Sequence, residues 1–568
     1  MRRNLKRKNI VMFFIIVICL VIKQSLAIEF AGGTGEPNNP YQIATAEQLQ
    51  AIGDSTLEDK CFILVADIDL DPNLPGNEIV VNNSFVDFFG GILDGNGHSI
   101  SNMVMVINSN NSGFDDYYGL IGNLSGIVED VQLQNITIRG VGHNVGALIG
   151  RNLGKVLRCS VTGSITGEAL VGGLVGNNYS GDIVSCSAFC NVQSMLIGWI
   201  GSTGGLVGHN SHNSCIYNCY ATGTITGNIE VGGLVGSNEA SYISNCYAMG
   251  TITGSEYVGG LVGYNLYGDI SNCYATGTIA GEKYVGGLIG KYDFHDIPNS
   301  TVSQCYAACK IIADSNDSIG GLIGKSEGQT TNSFWDIQVS GQKISAAGIG
   351  LPTAKLQDSK TYLDAGWDMT GETSNGVADT WTITEPNTYP QLTRLTDQYT
   401  VTQLPGSGTS DDPYQIATAE ELVAINDYDI NTHYALVADI DMTGMVWATA
   451  PIPFFNGTFD GRSHTISNLT IRGDNYLGLF GKILPNGVVR NLTIQDAYII
   501  GYKYIGALAG VSLGHITNCH VTGSVTGVSY VGGLAGSAVV EFISDCTADV
   551  ALSGNDNVHN IANARYFD

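Results

Sequence analysis

Of 568 residues, 74 are glycine, only 13 are proline and 44% are hydrophobic. That excludes collagen, which needs proline-rich triplets, and a disordered tail, which lacks the apolar residues to fold. The length suits two or more ordinary domains or one repeat array with a continuous core. The 52 acidic residues against 25 basic ones give a formal net charge of −27, a surface that repels nucleic acid and anionic membranes.

The chain opens with an export signal. Arg2, Arg3, Lys6, Arg7 and Lys8 precede an uncharged apolar run from Ile10 to Val21 and a small-residue cleavage site at Ser25-Leu26-Ala27, so residues 1–27 are read as a signal peptide. Ile18 stands before Cys19 where a lipoprotein signal wants a small residue, which argues against a lipid anchor. No later segment has the apolar length of a membrane-spanning helix. Removal of the signal takes six basic residues and no acids, raising the excess of acids from 27 to 33. This suits a soluble protein, secreted or at the cell surface through a Sec-type signal. No cofactor is expected, apart from weak calcium binding.

Two module openings follow. "GTGEPNNPYQIATAEQLQAI" at 33–52 returns as "GSGTSDDPYQIATAEELVAI" at 406–425, and "FFGGILDGNGHSISNM" at 88–103 returns as "FFNGTFDGRSHTISNL" at 454–469. The first module is read as 28–395, a linker as 396–405 and the second module as 406–568. In each opening Thr45 or Thr418 can cap a short helix, with Gln48 or Glu421 three residues on completing a capping box. Such a helix covers the exposed end strands of a stacked sheet.

The repeat itself is registered by cysteine. Cys159, Cys186, Cys219, Cys246, Cys273 and Cys305 lie 27, 33, 27, 27 and 32 residues apart, and Cys519 and Cys546 again 27. Glycine, β-branched and small polar residues at this period, without a helical apolar pattern, predict an all-β solenoid with one coil per repeat. In "ISNCYATGTI" at 270–279, a turn at Asn272 and strict alternation put Cys273, Ala275, Gly277 and Ile279 on the inner face and Tyr274, Thr276 and Thr278 on the outer one. "VGGLVG" supplies a second strand, its glycines permitting tight turns and close backbone approach.

"VGGLVGNN" at 171, "TGGLVGHN" at 203, "VGGLVGSN" at 231, "VGGLVGYN" at 258, "VGGLIGKY" at 285, "IGGLIGKS" at 319 and "VGGLAGSA" at 531 resemble the GLUG motif. That motif occurs in exported bacterial proteins such as filamentous-haemagglutinin-like adhesins and in the non-catalytic part of IgA-specific metallopeptidases. The resemblance implies a right-handed parallel β-helix in two modules, and no single activity. A peptidase would need a helical His-Glu-x-x-His site, and none of the ten histidines precedes a glutamate.

Several residues are candidates for chemistry. Stacked cysteines have parallel Cβ vectors about 4.8 Å apart, wider than a disulfide wants, so they are read as unpaired interior thiols, with Cys215 and Cys219 the least secure pair. Cys186/Cys190 and Cys305/Cys309 are too far apart along a strand to share one metal. Asp67, Asp69 and Asp71 resemble a calcium loop, but the second copy keeps only Asp439 and Asp441, so no metal site is assigned. Asp94 with His98 and Asp460 with His464 form recurring Asp-Gly-x-x-His segments. Asp115-Asp116 is the best carboxylate pair for glycoside cleavage, yet adjacent strand residues face opposite ways and the second module offers only Asp474. Trp335, Trp367 and Trp381 are read as a C-terminal cap of the first module, which the second lacks. The binding candidates are the outward tyrosines Tyr220, Tyr247, Tyr274 and Tyr306, a ladder able to stack on sugars or on a protein. The chain is thus expected to be a non-catalytic, adhesin-like binder of polysaccharide or of a cell-surface protein; a polysaccharide lyase or glycoside hydrolase, or a passive envelope spacer, are the alternatives.

Overall fold

A computed structural model of the chain describes residues 29–564 except 37–38, 72, 74–83, 108–115, 196–200, 294–299, 314–317, 372–378, 387, 396–402, 426–427, 429–431, 448–449 and 474. The export signal lies outside the described residues.

One coil shows how the rest is built. The strands Tyr247–Thr253, Glu256–Gly259, Val262–Leu266 and Asp269–Ser271 follow one another around the solenoid, and the next coil begins at Tyr274. Each strand pairs in parallel with its equivalent one coil on: Tyr247 with Tyr274, Val258 with Val285, Val262 with Ile289. A repeat therefore carries four strands where the sequence pattern showed two. From Tyr41 to Leu351 the stacking gives sheets of 11, 12, 7 and 9 strands, and from Tyr414 to Ala564 a second stack gives sheets of 6, 7, 5 and 4. The architecture is a parallel β-helix.

Small and β-branched residues fill a narrow interior. Val258, Leu261, Val262, Ile270, Cys273, Ala275 and Ile279 of successive strands are all fully buried in one continuous core. The corner before each ladder cysteine lies in the left-handed region, and four of the eight are asparagine, with φ of 53° at Asn218, 52° at Asn245, 51° at Asn272 and 52° at Asn518, a conformation that asparagine tolerates better than most residues. The expected alternation holds at Cys273, Ala275 and Ile279 but not at Gly277. That residue is exposed at φ +120° and marks a bend within the strand Tyr274–Gly281, which turns it away from the interior.

The second glycine of "VGGLVG" has a different role. A Cβ on Gly260 would stand 2.1 Å from the carbonyl oxygen of Gly287 in the next coil, as one on Gly233 would from that of Gly260. No side chain fits where coil meets coil at that spacing.

Two turns after those glycines runs a buried amide ladder. Asn152 Nδ2 donates to Asn178 Oδ1 at 2.8 Å, Asn178 to Asn210 at 2.7 Å, Asn210 to Asn238 at 2.8 Å and Asn238 to Asn265 at 2.8 Å. All five are fully buried. Several also close their own turn: Asn178 Nδ2 reaches Gly181 O at 2.9 Å and Asn265 Nδ2 reaches Gly268 O at 2.8 Å. Tyr292 takes the next position and ends the ladder.

Helices α1 (Ala46–Ala51) and α2 (Ala419–Ala424) open the two stacks. Thr45 Oγ1 accepts from Gln48 N and Thr418 Oγ1 from Glu421 N, and Glu421 Oε2 accepts from Thr418 N at 3.2 Å, a reciprocal cap. Leu49 and Ile52 enter the first core and Leu422 and Ile425 the second.

The stacks meet side to side. Phe454 of the strand Ile452–Phe455 packs on Tyr217 and Tyr242, which face outward from the 11-stranded sheet, with ring centroids 6.2 and 5.6 Å away. Beside it Lys482 Nζ donates to Asp269 Oδ2 at 3.0 Å and lies over the rings of Tyr242 and Tyr476, with the lysine side chain only 6% exposed.

Replacing Asn238 with alanine removes the acceptor of Asn210 and the donor to Asn265. A cost of about 1–3 kcal/mol for each stranded group is expected in chemical denaturation, whereas the exposed strand residue Asn191 replaced in the same way should move the midpoint far less. Lys482→Ala leaves the Asp269 carboxylate buried without its cation and should cost about 3–5 kcal/mol. The double variant Lys482→Met/Asp269→Asn should recover most of that loss in the same measurement.

Candidate functional site

The outer face of the 12-stranded sheet carries the tyrosines. Because each coil returns to the same register, Tyr220, Tyr247, Tyr274 and Tyr306 pair in sequence along the sheet. Their rings stack at 4.9, 4.9 and 5.0 Å with interplanar angles of 8°, 11° and 4°. The spacing is that of neighbouring strands, so backbone pairing and ring stacking reinforce each other.

The expectation of four exposed rungs is corrected at two of them. The segment that follows the first stack, including the helical turns Thr353–Leu356 and Ser359–Leu363, folds back over this face. There Trp367, Trp381, Tyr362 and Leu392 bury Tyr274 and Tyr306. Tyr306 is 1% exposed, and its hydroxyl donates to Pro390 O at 2.7 Å. Loss of water contact raises the Tyr274 and Tyr306 phenols well above the ordinary tyrosine range. The cap residues therefore divide: Trp335 joins the solenoid core, while Trp367 and Trp381 cover the flank.

What stays open is the upper part of the ladder. Tyr220 and Tyr247 are part-exposed, Phe189 lies edge-on to Tyr220 at 5.5 Å, and Phe189 and Met249 are 44% and 45% exposed. Threonines at Thr222 and Thr251 flank these rings. The result is a strip in which Tyr220 and Tyr247, their faces engaged by neighbouring rings, leave their edges to water beside the exposed Phe189 and Met249.

The other candidates are placed as follows. His98 turns to Asp67, not to Asp94: His98 Nδ1 lies 3.3 Å from Asp67 Oδ1, and the second copy repeats this with His464 and Asp439 at 3.1 Å. The partner is a coil away in each case, which short-range sequence spacing cannot show. Asp94 accepts from Asn96 N at 2.6 Å, and Asp460 from Arg490 Nε at 2.9 Å. Asp67, Asp69 and Asp71 accept from the backbone N–H of Ser99, Asp71 and Asn73 and so act as turn acceptors. The Ser99 hydrogen bond, then His98, hold the Asp67 carboxyl below its usual range. Asp115 and Asp474 lie outside the described residues, and Asp116 O accepts from Asn144 Nδ2 at 3.0 Å.

All twelve described cysteines are unpaired, and eleven are buried. Within the ladder each backbone N–H points at the next sulfur, from Cys159 to Cys186 Sγ, Cys186 to Cys219 Sγ and Cys219 to Cys246 Sγ, each at 3.3 Å. Burial pushes the thiols of Cys159, Cys186 and Cys215 well above their ordinary value, and that of Cys190 up to about 12. Cys215 and Cys219 face opposite ways, Cys219 into the core and Cys215 outward into the contact with Phe454.

The fold and this surface define a parallel β-helix repeat protein with an aromatic flank. Four of its repeats, at residues 201–226, 227–253, 254–280 and 501–526, match the family model of the GLUG motif. Halomucin of Haloquadratum walsbyi is 27% identical over 589 residues, covering 89% of this chain and 6% of that protein. A protein named as a Gly-rich membrane protein, from Evansella cellulosilytica, is 34% identical over 402 residues, covering 63% of this chain and 46% of the other. The chain thus spans less than half the length of either relative. Among solved structures, a protein named as an immunoglobulin A1 protease from Bacteroides ovatus aligns with 64% of this chain and 95% of its own at 19% identity and a TM-score of 0.37. An IgA1 protease aligns with 48% and 23% at 19% identity and a TM-score of 0.35. At such scores the fold assignment rests on the strand stacking above.

Because the reagent must reach the sulfur, the buried ladder should resist iodoacetamide in the folded protein and react fully once unfolded. Mass spectrometry of a brief native alkylation should find Cys546, the one described cysteine that is not fully buried, modified first.

Proposed function

We propose that the chain is an exported, non-catalytic surface or matrix component whose two β-helix modules, 28–395 and 406–568, hold binding surfaces for extracellular polysaccharide. The observation that carries this reading is the open platform of Phe189, Tyr220, Tyr247 and Met249, large apolar side chains left in water on an otherwise acidic solenoid. The exposed Phe189 and Met249 side chains with the ring edges of Tyr220 and Tyr247 offer an apolar strip along which an extended ligand can lie. The export signal and the likeness to Halomucin and to a protein named for a membrane support an extracellular setting.

A panel of immobilised polysaccharides, scored together for retention and for released reducing ends, tests this. The expected outcome is retention without release. Tyr220→Ala/Tyr247→Ala should weaken retention at least about tenfold, a loss of the size that truncating two stacked aromatic anchors gives, with the melting temperature nearly kept. Release of ends would make the protein a lyase or hydrolase, and no retention on any member would make it a spacer.

A further inference from the structure

The lysine at the seam between the stacks is a buried nucleophile set against a buried carboxyl. Lys482, on the strand Phe480–Ile483, holds Nζ 3.0 Å from Asp269 Oδ2, with the two side chains only 6% and 16% exposed. Aromatic rings surround the pair. Tyr242 lies in register with Asp269 and Phe454 with Lys482, and Nζ stands 3.3 Å from the centre of the Tyr242 ring and 3.8 Å from that of Tyr476.

The carboxyl is fixed from its other side. Asp269 Oδ1 accepts from Thr301 N at 2.8 Å and from Thr301 Oγ1 at 3.4 Å, both on the next coil, and Tyr476 hydrogen-bonds to the same carboxyl. Burial raises the Tyr476 phenol well above the ordinary tyrosine range, so it stays protonated there. One carboxyl oxygen is thus held by donors while the other faces the amine.

An amine condenses with a carboxyl when the amine is neutral, the carboxyl is protonated and the two are held in contact. In water at neutral pH both groups are ionised. Out of water the cost of keeping two ions is several times the attraction of a ring face for an ammonium, so the neutral pair comes within reach. Contact fixed by the fold also replaces a chance encounter with an intramolecular step.

We propose that Lys482 and Asp269 form an amide, a covalent cross-link between the two stacks. The ammonium passes a proton to Oδ2 along the hydrogen bond they share, and the neutral Nζ attacks Cγ. Negative charge gathers on Oδ1, where the Thr301 N–H receives it. A second proton from Nζ joins the Oδ2 hydroxyl, which leaves as water. One ammonium and one carboxylate give one amide and one water, with the net charge unchanged and no co-reactant. The ion pair described above is the reactant state, and the reaction removes both buried charges. The cross-link does not depend on polysaccharide binding.

Intact mass spectrometry of the chain without residues 1–27, reduced and denatured, tests this. The mass should fall short of the sequence by one water. A combined tryptic and chymotryptic digest should contain one branched peptide that joins the segments around Asp269 and Lys482 and is uncut after Lys482. Lys482→Arg, which keeps the cation beside Asp269, should have the full sequence mass and no branched peptide, with the circular dichroism of the parent showing that it folds. The assignment is overturned if the parent has its full sequence mass, if no branched peptide joins the two segments, or if the loss of water persists in Lys482→Arg.

Discussion

Coil-on-coil contact at the spacing of neighbouring strands governs the whole molecule. Every strand of the two stacks finds its hydrogen-bond partner in the coil above or below, so each coil must return to the same register after one circuit. Residues that recur at the same place in the motif are those for which stacking leaves little choice. The second glycine of "VGGLVG" meets a backbone carbonyl from the next coil. The asparagine of "LVGxN" completes a buried chain of amides. The cysteine fits a narrow interior and lends its sulfur to a neighbouring N–H.

The same constraint explains the tyrosines. Identical side chains in one register must either pack on one another or clash, and flat rings pack well at about 4.8 Å. The ladder is therefore first a structural device. The flank cap then divides it, covering Tyr274 and Tyr306 and leaving Tyr220 and Tyr247 part-exposed.

Much of the fold was legible in the sequence because it is periodic. The 27-residue cysteine spacing, the turn at Asn272 and the threonine-capped opening helices all follow from local pattern, and each has its counterpart in the structure. The number of strands per coil was not legible, since the short runs Glu256–Gly259 and Asp269–Ser271 carry too few residues to show alternation. Nor was Gly277 as a bend, because a glycine inside an alternating run looks the same whether it faces in or out. The asparagine ladder could have been found, as the residue repeats in "VGNN", "VGHN", "VGSN" and "VGYN", but its burial shows only when the coils are stacked. Contacts with no periodicity stayed hidden: Lys482 with Asp269 and Phe454 with Tyr217 and Tyr242 join segments that no repeat relates.

The lateral contact through Phe454 and Lys482 has a consequence for reach. Joined end to end, two solenoids of the same repeat would make one longer rod. Here the second lies along the side of the first, its own coils packed against an outer sheet, so duplication thickens the protein without extending it in proportion. The result is a broad corrugated wall with a seam down it, where side chains of the two stacks meet.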